Sequence, residues 1–307
     1  MIRNSYHSHS SSNDTVLVER LLLRLAKKWV AGNNVEDALV AAKAANLKGQ
    51  NAILNYLGES YTEDEKVNQT LEEYYNLLEI LRLRKIEGCI SVKPSQLGLS
   101  INYDLCLKNL KVLAERAMQF GRFMWIDMES TEFTDDTLAI YLELLDHYCK
   151  YTGVAIQSSL RRSASDLLHL IEVGGNVRLV KGAYHENEQN AFQSNADITT
   201  NYLKLLKMMF QVDKKGNDTF IFAVATHDSN AIRYAIELWK SSKVGIGDFE
   251  FQFLKGIRDE LKKDLIQRGF KLAEYIPYGK EWVGYSIRRL RERKRNIFLL
   301  ARSLVDS

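Results

Sequence analysis

The sequence contains little proline, little cysteine and no long apolar run. Only two of its 307 residues are prolines, Pro94 and Pro277, so no proline-rich linker divides the chain. Its three cysteines, Cys89, Cys106 and Cys149, have neither metal-ligand spacing nor the even number of a disulfide framework. We interpret them as reduced, buried thiols, and we therefore expect a cytoplasmic protein.

Other absences exclude further classes of protein. No stretch approaches the roughly 18 uncharged apolar residues of a membrane-spanning helix. Residues 1–14 are rich in Ser, His and Asn, lack the apolar core of a signal peptide and are predicted to be a disordered tail. A net charge of +3 does not indicate nucleic-acid binding. The glycine pair at 245 and 247 precedes a strand and lacks a third glycine, so it is not a dinucleotide fingerprint.

Two helices are predicted near the N-terminus. Residues 15–31 are strongly helical and are followed by Gly32, and a shorter helix with an alanine-rich face covers 35–47 and ends at Gly49. Two helices alone bury little apolar surface, so we expect residues 15–49 to pack on the larger part of the chain that begins at residue 50.

From residue 50 onward, apolar strand-like runs alternate with helical stretches. Several runs are nearly continuous, as in parallel strands buried on both faces. Eight such units in about 250 residues predict an α/β fold, a (β/α)8 TIM-type barrel over 50–307. The alternative is a doubly wound open sheet, which more often has five or six strands and a glycine-rich first turn. The predicted strands are 51–58, 88–94, 122–129, 153–159, 176–183, 219–227, 249–256 and 271–279, and the predicted helices are 63–86, 102–120, 134–150, 163–173, 194–213, 228–241, 258–268 and 281–303.

Polar residues stand at the ends of the predicted strands, where barrels of this kind place the active site. Gathering charges there costs free energy unless they pair with each other or with a ligand. Taken singly they are ambiguous: Lys93 suits a Schiff-base lysine, a carboxylate ligand or a partner of Asp127, and His227 suits a structural histidine as well as a catalyst. These residues are Glu59, Lys93, Asp127, Glu129, Gln157, Arg178, Lys181, Tyr184, Thr226, His227, Lys255 and Tyr275, and the apolar Leu254 stands beside Lys255. We identify no metal site.

The last predicted helix carries a second polar group. Tyr285, Arg288, Arg289 and Glu292 share one face of that helix because they are spaced by three, four and seven residues. Two planar guanidinium forks beside a phenol and a carboxylate suit the capture of a small carboxylate. A solvated basic face is the alternative interpretation.

Five linked segments resemble the signature blocks of the proline dehydrogenase family. They read RLVKGAYHE from Arg178, ATHD from Ala225, FQFLKG from Phe251, YIPYG from Tyr275 and YSIRRLRE from Tyr285. LNYLGE from Leu54 and SVK from Ser91 extend the resemblance upstream, so that it covers roughly 35–300. It implies an FAD-dependent (β/α)8 barrel and, because the chain ends at Ser307, the monofunctional type.

The resemblance implies roles around the substrate, L-proline. Lys93, Arg288 and Arg289 would bind its carboxylate. Tyr275, Tyr285 and Leu254 would enclose its ring. Asp127 would hold the second arginine, and Glu59 would gate the pocket.

It also implies a flavin site. The block that wraps the flavin comprises Arg178, Val180, Lys181, Gly182, Ala183 and Tyr184, with Arg178 near the reactive N5 atom. Gln157, Thr226, His227 and Glu292 would complete the site. The sequence departs from the family pattern at Asp228, where asparagine is common, and at His185, where a larger residue is frequent.

The implied activity is oxidation of L-proline to 1-pyrroline-5-carboxylate by hydride transfer from C5 to flavin N5, the first step of proline catabolism to glutamate. Electrons would pass to a membrane quinone, and a separate pyrroline-5-carboxylate dehydrogenase would use the product. Arg291, Arg293, Lys294 and Arg295 would suit a peripheral contact with the inner face of the membrane, although a solvated helix end explains them equally. The rival hypotheses are a lysine-dependent aldolase that uses Lys93 or Lys181, and a basic binding module.

Overall fold

Eight parallel strands close into a barrel in chain order, with β8 hydrogen-bonded to β1. The computed structural model describes residues 28–212, 221–283 and 285–286. Both the α/β class and the (β/α)8 barrel predicted from the sequence are confirmed. The strands are β1 (Asn51–Tyr56), β2 (Gly88–Val92), β3 (Met124–Ile126), β4 (Thr152–Gln157), β5 (Asn176–Val180), β6 (Phe222–Ala225), β7 (Phe249–Leu254) and β8 (Lys271–Tyr278).

Helices cover the outside of the barrel. Their apolar faces pack on the strands, as in α3, where Leu110 and Leu113 are fully buried and each contributes about 1.5–3 kcal/mol. The side chain of Asn102 accepts the backbone N–H of Leu105 and fixes the start of that helix. The described helices are α1 (Val35–Asn46), α2 (Asp64–Leu83), α3 (Tyr103–Gln119), α4 (Thr131–Tyr148), α5 (Ser163–Glu172), α6 (Asn195–Phe210), α7 (Ser229–Ser241) and α8 (Asp259–Gln267).

The N-terminal segment packs where the barrel closes. Helix α1 contacts β1 and β8, and the backbone N–H of Ala31 donates to Pro277 O at 2.8 Å. Trp29 is buried against Leu57, Ile257 and Tyr285. Of the helix predicted over 15–31, only residues from Lys28 onward belong to the described chain, and Lys28 and Trp29 are helical. The predicted tail at 1–14 lies outside it.

The interior of the barrel changes character along its axis. We call Ile53, Trp125, Ala223 and Ala273, which form one buried apolar cluster, the floor cluster. Because all strands run in the same direction and inward positions alternate, the next inward residue on β3 and on β8 lies nearer the C-terminal ends. Those residues are Asp127 and Tyr275, so the polar layer begins immediately above the floor cluster.

Two elements differ in extent from the prediction, and a long-range contact explains the first of them. Helix α4 begins at Thr131 rather than at 134, because Glu186 accepts both the backbone N–H and the hydroxyl of Thr131, at 2.8 and 2.5 Å. Strand β3 is limited to Met124–Ile126, shorter than the predicted 122–129. In the last predicted helix, residues 282–283 and 285–286 are helical, and Arg288, Arg289 and Glu292 lie outside the described residues. None of the described helices is both long and apolar enough to cross a membrane.

Candidate active site

A cavity of about 260 Å³ opens at the C-terminal ends of the strands. Glu59, Glu129 and Lys255 do not line it, but the structure brings together on its wall the other candidate site residues of the described chain. These are Lys93, Asp127, Gln157, Arg178, Val180, Lys181, Gly182, Ala183, Tyr184, Thr226, His227, Leu254, Tyr275 and Tyr285. In the described chain, no group of three or more His, Cys, Asp and Glu side chains is arranged to hold a metal ion.

Asp127 is the centre of a buried hydrogen-bond network. Its Oδ1 accepts from Arg178 Nη1 at 2.6 Å and from Ser91 Oγ at 2.8 Å. Its Oδ2 accepts from the Tyr275 hydroxyl at 2.7 Å. Burial and the Asp127 carboxylate hold the pKa of Tyr275 well above its usual value, so the phenol stays protonated. The predicted partner of Asp127, Arg289, lies outside the described residues, and both carboxylate oxygens already accept bonds from other groups.

Arg178 is held on three sides and is only 2% exposed. Its Nε donates to Gln252 Oε1 at 2.6 Å, and Nη1 donates to Ser91 and Asp127. Its guanidinium carbon lies 4.7 Å from the ring centre of Trp125, which supports the cation from the floor cluster. Its Nη2 atom is buried without a hydrogen-bond partner in the described chain. A donor of this kind on a cavity wall is available to a ligand.

Lys93 extends from the end of β2 and is 7% exposed. The short 3-10 helix Pro94–Gln96 follows it, and Glu129 fixes that turn by accepting the Ser95 N–H at 2.9 Å and the Ser95 hydroxyl at 2.6 Å. Burial raises the pKa of Glu129, against the opposing effect of Ser95 and Lys93. None of the described hydrogen bonds or ion pairs engages the Lys93 ammonium, so pairing with Asp127 is not the role that the geometry supports.

The loop after β5 forms another wall of the cavity. Lys181 lies beyond the end of β5 and pairs with Asp228 at 3.2 Å, whereas Arg178 points into the barrel. Both residues line the cavity, Arg178 from within the barrel and Lys181 from the loop after β5. Gly182 has a φ of +108°, and a Cβ atom there would overlap Ser159 Oγ, so this turn requires glycine. The Tyr184 hydroxyl donates to Glu59 at 3.2 Å, which brings the predicted gate residue to this wall.

Apolar side chains line the side of the cavity near β7 and β8. Leu254 and Tyr285 belong to the same small cluster as Trp29, so the N-terminal segment supports this wall from behind. The Tyr275 ring lies beside them, with its hydroxyl turned to Asp127. His227 packs at 5.6 Å from the Phe253 ring. The arrangement combines a buried cation with a small apolar surface.

Sequence reasoning gave no role to Ser91 or Gln252, although both lie within the segments that carry the family resemblance. Both bind Arg178 directly. A signal was present: Ser91 and Gln252 each stand two residues before a candidate, Lys93 and Leu254, and so share its inward face.

Comparisons with known proteins identify the family of this chain. The family model described as proline dehydrogenase matches residues 38–299. Proline dehydrogenase 1 of Bacillus subtilis strain 168 is 32% identical over 280 residues, which are 91% of this chain and 90% of the relative. Proline dehydrogenase of Deinococcus radiodurans is 32% identical over 293 residues, 94% of this chain and 93% of the relative.

A solved structure supports the fold. Proline utilization A from Bdellovibrio bacteriovorus superposes with a TM-score of 0.82 at 22% identity, over 91% of this chain. This chain spans 33% of that longer protein. The match to the family model and the two relatives at 32% identity establish that the chain belongs to the proline dehydrogenase family.

Proposed function

We propose that this chain oxidises L-proline to 1-pyrroline-5-carboxylate, with FAD as its cofactor, in the cavity at the C-terminal ends of the strands. One observation carries the proposal beyond family membership. The cavity wall combines two buried cations, Lys93 and Arg178, with an apolar surface formed by Leu254, Tyr275 and Tyr285. A small amino acid with a carboxylate and a saturated ring matches both halves of that wall.

Lys93 binds the carboxylate end of the substrate in this proposal. Its ammonium is largely removed from water and engaged by none of the described hydrogen bonds, so a carboxylate gains an ion pair without displacing a protein partner. Arg288 and Arg289 are proposed to complete the clamp from sequence alone, since they lie outside the described residues.

The apolar half of the wall positions the ring. Leu254 and the Tyr285 ring give a surface that ring carbons can contact without losing hydrogen bonds. Tyr275 is held in place by Asp127, so its ring is a fixed wall rather than a mobile side chain. Fixing both ends of a small substrate directs one particular C–H bond towards the acceptor.

The donor set of the cavity fits a flavin. The unpartnered Arg178 Nη2 atom requires an acceptor, and the conjugated ring of a flavin supplies several. Gln157, Lys181, Thr226 and His227 line the same cavity and offer further polar groups. Because Gly182 has no side chain, the backbone from Lys181 to Ala183 can itself lie along the cavity wall.

Oxidation of proline removes one hydrogen from C5 with two electrons and one proton from nitrogen, and leaves a C=N bond. FAD, when bound, supplies the acceptor for the hydride that leaves C5. Arg178, held by Asp127, would stabilise the negative charge that the acceptor gains with the hydride. The amine must be neutral for its electron pair to form the C=N bond, and we assign no residue as an obligatory base.

The wider setting follows from the family resemblance. We propose that the electrons pass to a membrane quinone, that a separate pyrroline-5-carboxylate dehydrogenase takes the product, and that the protein acts in the cytoplasm with a peripheral contact at the inner face of the membrane. The basic residues 291 and 293–295 that would make this contact lie outside the described residues.

A product assay tests the function. Purified protein reconstituted with FAD and supplied with a soluble quinone should convert L-proline to 1-pyrroline-5-carboxylate and should leave D-proline unchanged. A protein without this activity that is instead trapped covalently by borohydride in the presence of a carbonyl substrate would be the lysine-dependent aldolase, and the proposal would be wrong.

A further inference from the structure

A line of hydrogen bonds connects Arg178 with the lower part of the barrel. Gln252 Oε1 accepts from Arg178 Nε at 2.6 Å, and Gln252 Nε2 donates to Glu250 Oε1 at 2.5 Å. Glu250 and Gln252 are two residues apart on β7, so both point inward. Glu250 lines a second cavity of about 280 Å³ together with Cys89 and Trp125, at the opposite end of the barrel from the candidate active site.

The chemistry of these groups allows one arrangement of the line. A guanidinium only donates hydrogen bonds, so the Gln252 oxygen must face Arg178 Nε. The Gln252 amide nitrogen then faces Glu250, where it needs an acceptor. If the amide turned over, two donors would meet at Arg178 and two acceptors would meet at Glu250. Glu250 therefore fixes the amide of Gln252, which in turn fixes Arg178.

We propose that Glu250 and Gln252 are positioning residues that fix the guanidinium plane of Arg178, and thereby direct its unpartnered Nη2 atom at the flavin. The inference rests on the proposed function in one respect, namely that the ligand of Nη2 is FAD. Asp127 and Ser91 hold only the Nη1 side of the group. The bonds at Nε and Nη1, together with the Trp125 ring beneath the guanidinium, fix its orientation, whereas bonds at Nη1 alone would let it turn about that atom.

The carboxyl of Glu250 can fill this role in either protonation state. Removal from water raises the pKa of its carboxyl, although Gln252, Arg178 and Lys271 oppose the change. Whether ionised or protonated, a carboxyl retains an oxygen that accepts the Gln252 N–H. The line of hydrogen bonds from Glu250 through Gln252 to Arg178, called the relay below, needs this acceptor and does not need the charge. Replacing Glu250 with glutamine should therefore preserve the relay, and replacing it with leucine should not.

The test measures the dissociation constant of FAD from apo-protein, with Gln252→Met, Glu250→Leu and Glu250→Gln beside the wild type. A lost charge-assisted bond is worth about 1.5–3 kcal/mol, so Gln252→Met should weaken FAD binding by roughly tenfold or more. Glu250→Leu should weaken it by a smaller factor of about three to ten, because Gln252 keeps its bond to Arg178 but loses its fixed orientation. Glu250→Gln should bind FAD within about twofold of the wild type.

A matched control separates positioning from general damage to the barrel. Ile53 belongs to the floor cluster, and its side chain has no polar group that could take part in the relay. Ile53→Val should lower the unfolding temperature without changing FAD affinity. In reconstituted enzyme the relay variants should lower kcat for proline and leave KM within about twofold, since Lys93 still holds the carboxylate.

The outcomes distinguish this inference from the proposed function. FAD affinity in Gln252→Met equal to that of Ile53→Val would overturn the relay, and so would Glu250→Gln falling as far as Glu250→Leu. If Gln252→Met does not fold, the two Glu250 variants decide the matter. A wild type that binds FAD but leaves proline unoxidised would refute the proposed function while the FAD affinities still decide the relay. A wild type that binds no FAD would overturn both.

Discussion

The two ends of the barrel interior are built from the same eight strands but are filled differently. The floor cluster is Ile53, Trp125, Ala223 and Ala273, whose side chains are apolar and buried, and Trp125 also lies against the Arg178 guanidinium. One inward position further along β3 and β8, apolar residues give way to Asp127 and Tyr275, and Arg178 joins them. Burying this polar layer costs free energy that its hydrogen bonds recover only in part. The floor cluster stabilises the fold. The polar layer above it, which we call the mouth, lowers the stability of the fold and provides the groups that the proposed reaction needs.

The largest effect should come from removing the central cation of the mouth. Arg178→Met leaves Asp127 buried without its ionic partner, so we expect the free energy of unfolding to fall by about 3–5 kcal/mol. FAD should be lost as well. Denaturant unfolding and the flavin content of the purified protein measure both.

The matched change at the floor should behave differently. Ile53→Val should cost only about 0.5–1.5 kcal/mol and should leave the flavin bound. Similar losses of flavin in the two variants would show that the mouth and the floor do not differ in the way described.

A change at Lys93 should affect substrate binding and spare the flavin. Lys93→Met removes a charge-assisted contact worth about 1.5–3 kcal/mol, so kcat/KM for proline should fall roughly ten- to hundredfold. Most of the loss should appear in KM, since the carboxylate is present before and during the reaction. Lys255→Met is the control, because the Lys255 ammonium contacts Lys28 O and does not line the cavity. Equal losses in both would remove the substrate role of Lys93.

Ring selectivity should change at Tyr275. Because Asp127 anchors its hydroxyl, the Tyr275 ring is a rigid wall, and we predict that it excludes a hydroxyl group on the proline ring. Tyr275→Ser should weaken the binding of proline and should raise the ratio of kcat/KM for 4-hydroxyproline to kcat/KM for proline. Tyr275→Phe, which keeps the ring but loses the bond to Asp127, should raise this ratio less than Tyr275→Ser does. A ratio that does not change in Tyr275→Ser would place the hydroxyl position of the substrate elsewhere.

The smallest effect should come from the rim of the mouth, at Asp228. Burial alone would raise the pKa of Asp228, but the Asn230 N–H and the Lys181 ammonium lower it overall. A carboxyl with a lowered folded pKa stabilises the protein above its unfolded pKa of about 3.9, and this contribution disappears as the pH falls through the folded pKa. Asp228→Asn keeps the helix cap of α7 but loses the ion pair with Lys181, which is partly exposed.

We therefore expect Asp228→Asn to lose about 0.2–1 kcal/mol near neutral pH and to lose less at a pH below the unfolded pKa of about 3.9, as the carboxyl of the wild type becomes protonated. Unfolding at the two pH values measures this. The control is Asp264→Asn, which removes an exposed ion pair with Arg268. It should lower the free energy of unfolding by less than Asp228→Asn at either pH. A constant difference at both pH values would show that the loss does not come from the charge of Asp228.

Local pattern predicted most of the fold. Strand and helix periodicity located all eight strands, because each buries its own apolar residues whichever neighbours it has. The start of α4 was misplaced because the deciding contact, Glu186 with Thr131, comes from a residue 55 positions away. Such a contact leaves no mark in the sequence around the helix.

Within the site, the candidates were located but their partners were not. Arg178 and Asp127 were both expected at the ends of strands, yet their pairing depends on how the side chains of β3 and β5, which are separated by β4, lean towards each other inside the barrel. The alternation of side chains along a strand predicts which residues point into the barrel, but it does not predict which residues of other strands they meet there. For the same reason Gln252 and Ser91 were given no role from the sequence.

Anaerobic titration of the FAD-loaded wild type with L-proline tests the central claim most directly. We predict that L-proline bleaches the flavin absorbance fully and that D-proline leaves it unchanged, because the carboxylate and the ring must reach opposite halves of the same cavity wall. Flavin that stays oxidised in the presence of excess L-proline, in protein shown to be folded and loaded, would contradict the account.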